Sequence, residues 1–150
     1  MKYRNYQPDS LFLAYQRRWI EDASRLKLME KSRQVGLSWC TAYGLVRRKA
    51  RAEAKLDAWV SSRDDLQARL FKEDCVRFAE LLDAGARDLG VRVIDDVERA
   101  TAHVLRLANG LRIHSMTSNP NAQAGKRGDR VLDEFALHRN PRELWAIAYP

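Results

Sequence analysis

Apolar and polar positions recur along this chain at two periods, which divide it into helices and strands. Phe12, Tyr15 and Trp19 lie three and four residues apart within Leu11 to Ile20, predicting an amphipathic helix opened by Pro8 and Asp9. Leu26 to Glu30 reads as a short strand, residues 31–36 as a polar loop, and Ser38 to about Ala54 as a helix. The apolar run Ala58 to Ser61 predicts a buried strand. A further helix starts at Ser62, with Asp65 placed as in a capping box. Leu66, Leu70, Phe71, Cys75, Phe78, Leu81 and Leu82 carry its apolar face to about Asp83, and Gly85 and Gly90 close the region. Val91 to Ile94 predicts a strand. Val104 to Leu107 and Leu111 to Met116 flank Asn109-Gly110, a strong hairpin signal. Residues 117–130 form a long loop rich in Gly and Asn, VLDEFA (131–136) supplies an apolar strand ending in two acids, and Pro141 opens a last helix.

Helices alternating with short buried strands predict an α/β domain with a mainly parallel central sheet flanked by helices. Such sheets bind ligands at the carboxyl ends of their strands. The 150 residues suffice for one domain, and 45% hydrophobic content is that of a globular chain. Lys and Arg number 27 against 20 Asp and Glu, a net charge of +7, which favours a polyanionic partner such as a nucleic acid or a nucleotide. No apolar run reaches the roughly 18 residues of a membrane span, and MKYRNYQPDS has no apolar segment of a secretory signal. Cys40 and Cys75 lie in helical patterns without metal-ligand spacing, so they read as reduced, buried thiols of a cytoplasmic protein.

The segment Lys31-Ser32-Arg33-Gln34-Val35-Gly36-Leu37-Ser38 follows a predicted strand and opens a predicted helix, the context in which helix N-terminal amides hold a phosphate. Set against G-x-x-x-x-G-K-[ST], it keeps Gly36 and Ser38 but has Leu37 in place of the lysine and Lys31 in place of the first glycine. Taken alone, a serine-capped strand-to-helix turn accounts for it more simply. A loop that wraps a phosphate nevertheless brings its first position back across the ligand, so the Lys31 ammonium could reach the same oxygens, with Arg33 as a second cation. Val131-Leu132-Asp133-Glu134 ends a strand in two carboxylates, one suited to Mg²⁺ and one to a general base. An Asp-Glu pair is also common as the solvated first turn of a helix. The two segments in this chain order together favour a nucleotide site.

Beyond these two segments, LAYQRRWI (13–20), KSRQVGLSW (31–39), VSSRDDLQARLF (60–71), LANGLRI (107–113) and GDRVLDEFALH (128–138) run in one order across nearly the whole chain. In that order the sequence resembles the large terminase subunit of tailed bacteriophages, close to the Mu-like branch. The resemblance implies a P-loop NTPase of the additional-strand, catalytic-glutamate type, an ATP- and Mg²⁺-dependent motor that drives double-stranded DNA into a procapsid. It implies that Lys31 is the phosphate lysine and Arg33 the loop arginine at the γ-phosphate, with Ser32, Gln34, Val35, Gly36 and Leu37 completing the phosphate loop. Ser38 and Asp133 would be the metal-associated pair and Glu134 the catalytic glutamate. Tyr15-Gln16 resembles an adenine-contacting Q motif, since a glutamine amide both donates to and accepts from an adenine edge. Arg127 is a candidate trans-acting arginine finger, or a solvated or DNA-facing loop cation; Ala124 stands at the approximate family position.

The resemblance further implies a small terminase subunit, a portal and a homo-oligomeric ring as partners, in the bacterial host cytoplasm and away from membranes. It covers a partial N-terminal ATPase domain, because the sequence reaches Pro150 soon after the acidic pair, before the next strand and the nuclease domain. That strand normally lies beside the phosphate-loop strand, and an open central edge predicts marginal stability or self-association. Two alternatives remain: a nucleotide- or DNA-binding module without turnover, and a helicase-like P-loop ATPase, against which the displaced lysine argues. Arg47, Arg48, Lys49 and Arg51 read as a solvated helix end suited to the helix dipole, and no sequence pattern assigns the DNA contacts.

Overall fold

A computed structural model describes residues 11–149; Pro8 and Asp9, the predicted helix opening, lie outside them. The elements in chain order are α1 (Ala14–Glu21), α2 (Leu37–Lys49), β1 (Ala58–Ser62), α3 (Asp65–Leu81), β2 (Ala86–Asp95), β3 (Ala100–Leu107), β4 (Arg112–Thr117), α4 (Pro120–Gln123), β5 (Asp129–Leu132) and α5 (Pro141–Ala148). The strands form one sheet in the order β2-β3-β4-β1-β5. β1 runs parallel to both β4 and β5, whereas β3 is antiparallel to β2 and to β4. The sheet is therefore mixed rather than mainly parallel. Short turns join β2 to β3 and β3 to β4, and a short turn can only reverse the chain. The parallel strands are joined by longer connections, β1 to β4 through α3 and the β2–β3 pair, and β4 to β5 through α4, as parallel pairing needs.

The two faces of the sheet differ in chemistry. Ala58, Val60, Leu105, Leu107 and Ile113 turn to one side and pack with Cys40, Tyr43, Leu45 and Val46 of α2 and Phe71, Cys75 and Phe78 of α3. Phe12 joins that core and meets Tyr43 and Trp39 with ring centroids 4.6 and 5.2 Å apart. Both cysteines are free and buried there, and burial pushes the Cys40 thiol up to about 11. The other face carries a smaller cluster of Trp59, Ala100, Ala102, Val104 and Met116 under Ala122 of α4. Across it runs a polar network: Gln123, fully buried, donates to Ser61 Oγ and accepts from Arg130, which also donates to the Lys126 carbonyl. This network pins the loop before β5 to the sheet.

Several local expectations change. Residues 26–30 form no strand; Leu28 is 88% exposed, and an isolated extended segment has no ladder to join. α2 stops at Lys49 rather than Ala54. Ser62 stays in β1, and α3 is capped instead by Asp64, whose carboxylate accepts from the Gln67 amide at 2.9 Å. The 117–130 loop contains the single turn α4 and the start of β5. The Asn109-Gly110 hairpin forms, with Gly110 in the left-handed region (φ 88°) and Leu107 N–H donating to Leu111 O at 2.8 Å. β2 is longer than expected and bulged between Asp88 and Val91. Among the described residues, no helix is long and apolar enough to cross a membrane.

Candidate functional site

The site lies at the carboxyl ends of β1 and β5, where the chain enters α2. Gly36, at φ 68°, is the N-cap of α2 and supplies no side-chain cap. Ser38 does not cap the helix either: its hydroxyl donates to Asp133 Oδ1 at 2.6 Å, across 95 residues of sequence. The simpler serine-capped turn is thereby excluded, and the first amides of α2 are left without a side-chain acceptor. Gln34 shares the left-handed conformation (φ 57°), so two such residues curl the loop just before the helix.

Helix α1 braces this curl. Tyr15 donates its phenolic hydrogen to the Val35 carbonyl, and Gln16 Nε2 donates to Val35 O at 3.2 Å and Gly36 O at 3.3 Å. Gln16 Oε1 accepts from Leu13 N–H at 3.0 Å, so a side chain only 5% exposed is fully engaged. A Cβ at position 36 would stand 2.8 Å from Gln16 Nε2, and φ 68° disfavours any side chain there. The pair that resembles an adenine-contacting motif is therefore a support of the loop backbone at Val35 and Gly36 in this structure.

Asp133 continues the β5 ladder, its N–H donating to Ser61 O at 2.9 Å. Burial pushes its carboxyl above the usual range, against the Ser38 hydrogen bond, which favours the ionised form. Glu134 then leaves the strand in the left-handed region, at φ 51° and ψ 46°, which costs a non-glycine residue about 1–2 kcal/mol. Two contacts hold that turn: Leu137 N–H donates to Glu134 O, and His138 Nε2–H to Asp133 O, both at 2.8 Å. The turn points Glu134 back at the loop, where its Oε1 lies 3.9 Å from Lys31 Nζ.

Tyr15, Gln16, Lys31, Val35, Gly36, Ser38, Asp133 and Glu134 thus converge from three separated segments. Leu37, at 8% exposure, packs into the core as the first residue of α2. Ser32, Arg33 and Gln34 are exposed on the loop, and Arg33 makes no ion pair with any described residue. Arg127 stands at the opposite end of β5. Its carbonyl accepts from Trp59 Nε1 at 3.0 Å and its side chain is exposed. Two residues of the site carry no mark in the sequence. His138 ends the segment GDRVLDEFALH, where nothing in the residue pattern gives it a task. Ser62 ends β1 with its hydroxyl buried and without a partner among the described residues; a helix-cap pattern conceals it.

Among the described residues, no three His, Cys, Asp or Glu side chains gather as a dedicated metal cage. The Ser38 hydroxyl and Asp133 carboxylate, both hard oxygen donors, fit Mg²⁺, which keeps several waters and takes one or two carboxylates beside substrate phosphates.

The chain has relatives among known proteins. The family described as terminase large subunit, T4likevirus-type, N-terminal, matches residues 28–150. The chain is 30% identical over 146 residues to the Mu-like prophage FluMu protein gp28 of Haemophilus influenzae, covering 95% of this chain and 29% of that protein. It is 32% identical over 149 residues to the probable terminase, large subunit gp28, of Escherichia phage Mu, covering 94% of this chain and 27% of that protein. The chain thus spans under a third of the length of these curated relatives. No solved structure gives a significant match.

Proposed function

The chain belongs to the terminase large-subunit family through its N-terminal region, and from that premise we propose that it binds and hydrolyses ATP with Mg²⁺ to drive phage DNA packaging. The observation that carries this reading is the hydrogen bond from Ser38 to Asp133, which ties the start of α2 to the acidic end of β5. Bound ATP·Mg²⁺ would supply a γ-phosphoryl group for transfer to water. The uncapped amides of α2 and the Lys31 ammonium then face the phosphate oxygens, and Ser38 and Asp133 hold the metal.

Glu134 orients the attacking water and accepts its proton. Its carboxylate faces Lys31 at 3.9 Å. Phosphate oxygens compete for that ammonium, so filling the site releases Glu134 for its work as a base. Arg33, exposed and unpaired among the described residues, is free to swing onto the γ-phosphate. In the longer relatives' context the same unit would act on double-stranded DNA in a ring of copies, with a portal and a small terminase subunit, and Arg127 would serve a neighbouring copy.

The test is Mg²⁺-dependent binding of a fluorescent ATP analogue, run beside phosphate release. Lys31→Ala should lose binding. Glu134→Gln should keep binding and lose turnover by about 10²–10⁴-fold. Binding without turnover in the unmodified chain would leave a nucleotide-binding module. No binding by the folded chain would sink the nucleotide reading.

A further inference from the structure

At the end of the sheet opposite the phosphate loop, register brings together three arginines that the sequence scatters. Arg87 on β2 lies directly opposite Arg106 on β3, and Arg106 lies directly opposite Arg112 on β4. Directly paired residues share a face, so the three guanidinium groups rise from one row across three strands, on centres about 5 Å apart. That face is the one turned away from α2 and α3, because Leu105 and Leu107, on either side of Arg106, pack into the core beneath those helices. All three arginines are exposed, and none makes a hydrogen bond or ion pair through its side chain with any described residue.

Like charges placed directly opposite one another weaken a sheet. Three in register therefore favour an anion that neutralises them. Of the neighbouring cations, Arg48 and Lys49 are paired with Asp129, and Arg51 is exposed. Asn109, in the β3–β4 turn, donates to the carbonyls of Lys49 and Arg51, which brings the basic end of α2 beside the row. One carboxylate stands at the row's end. Asp57 is already engaged, accepting from the Arg112 backbone N–H at 2.9 Å and from His114 Nε2 at 3.1 Å. Asp88, the acid next to Arg87, lies on the opposite face, paired with Lys72 at 2.5 Å.

We propose that the row Arg87–Arg106–Arg112 is a docking surface for the phosphodiester backbone of a nucleic-acid duplex. A linear array of forked, permanently charged donors matches a linear array of phosphates and carries no pattern that would read bases. The surface goes beyond the nucleotide site and is separate from it, at the amino-terminal end of the parallel strands.

The test is fluorescence anisotropy of a short labelled duplex, titrated with the 150-residue chain at several salt concentrations and without nucleotide. The triple variant R87Q/R106Q/R112Q is compared with a charge-matched triple, R69Q/R77Q/R142Q. The row variant should bind at least tenfold more weakly, and its log–log salt dependence should be shallower by about 2–3, near 0.9 for each phosphate no longer neutralised. Equal behaviour of the two triples would overturn the proposal. Undiminished duplex binding with loss of polyglutamate binding would also overturn it, in favour of an acidic protein partner. Binding of the ATP analogue, measured in the same variants, should be unchanged. Failure of the nucleotide reading is thereby read on a separate signal.

Discussion

Both ends of the sheet carry cationic side chains, but they hold them in different ways. At the end where α2 begins, Lys31 faces Glu134 and the loop is clamped by Tyr15 and Gln16. At the other end, the charges of α2 are answered, Lys49 and Arg48 lying 3.1 and 3.6 Å from Asp129, while the arginine row is not. A cation with an internal partner binds by exchange, so a ligand must displace that partner and the displaced group becomes available for chemistry. A cation without one binds by simple neutralisation. The first arrangement suits a reaction centre and the second a track.

Removing single groups sharpens the contrast. The largest difference is expected for Glu134→Gln, which should lower phosphate release by about 10²–10⁴-fold yet leave duplex affinity unchanged; a parallel loss of duplex binding would break the separation of the two ends. Lys49→Met comes next. Its ammonium belongs to a residue only 6% exposed and also donates to Leu56 O at 3.0 Å, so losing it should destabilise the fold by about 1.5–3 kcal/mol in urea unfolding. Arg106→Gln removes the same unit of charge from the middle of the unanswered row. It should leave stability unchanged or raise it by about 0.2–1 kcal/mol, more at low salt. Equal destabilisation by both variants would mean that the row is satisfied after all.

The smallest effect concerns pH. His114, beside Arg112, is stacked on Trp59 and faces Asp57, Arg112 and Lys126. Burial lowers its pKa despite the hydrogen bond to Asp57. The folded state therefore binds the proton less tightly than the unfolded chain, whose histidine titrates near about 6.5. Stability from this group is complete above that pH and declines as pH falls towards the folded value. Urea midpoints should drift down between neutral pH and about pH 5, and His114→Gln should flatten the drift.

Much of this fold is legible wherever a segment's own pattern decides its structure. The buried strand over Ala58–Ser61, the long helix α3, the turn at Asn109-Gly110 and the Pro141 helix start all follow from local period and turn chemistry. Partners decide the rest. Residues 26–30 have the composition of a strand but no neighbour to pair with, and β2 is exposed on both faces over most of its length, so alternation does not mark its extent. At the site, the residue types around Ser38 and Asp133 are visible in the sequence; their hydrogen bond is not. The sequence puts Tyr15 on the apolar face of a helix and the resemblance offers it with Gln16 to adenine, whereas their grip on Val35 and Gly36 needs the packing of α1 against α2. The arginine row has no sequence signal at all, since only strand register aligns positions 87, 106 and 112.

The contacts of α2 and β5 have a mechanical meaning. Helix α2 runs from Ser38 to Lys49, a rigid span of about 16 Å, and β5 returns from Asp129 to Asp133 over about 13 Å. The two struts are tied at both ends, by Ser38 to Asp133 at 2.6 Å and by Lys49 to Asp129 at 3.1 Å. They form a four-sided frame in which neither long side compresses. A displacement that opens the Ser38–Asp133 corner must shear the frame and load the Lys49–Asp129 corner. The spacing of the Ser38–Asp133 corner is thus gauged from a tie at the far end of the two struts.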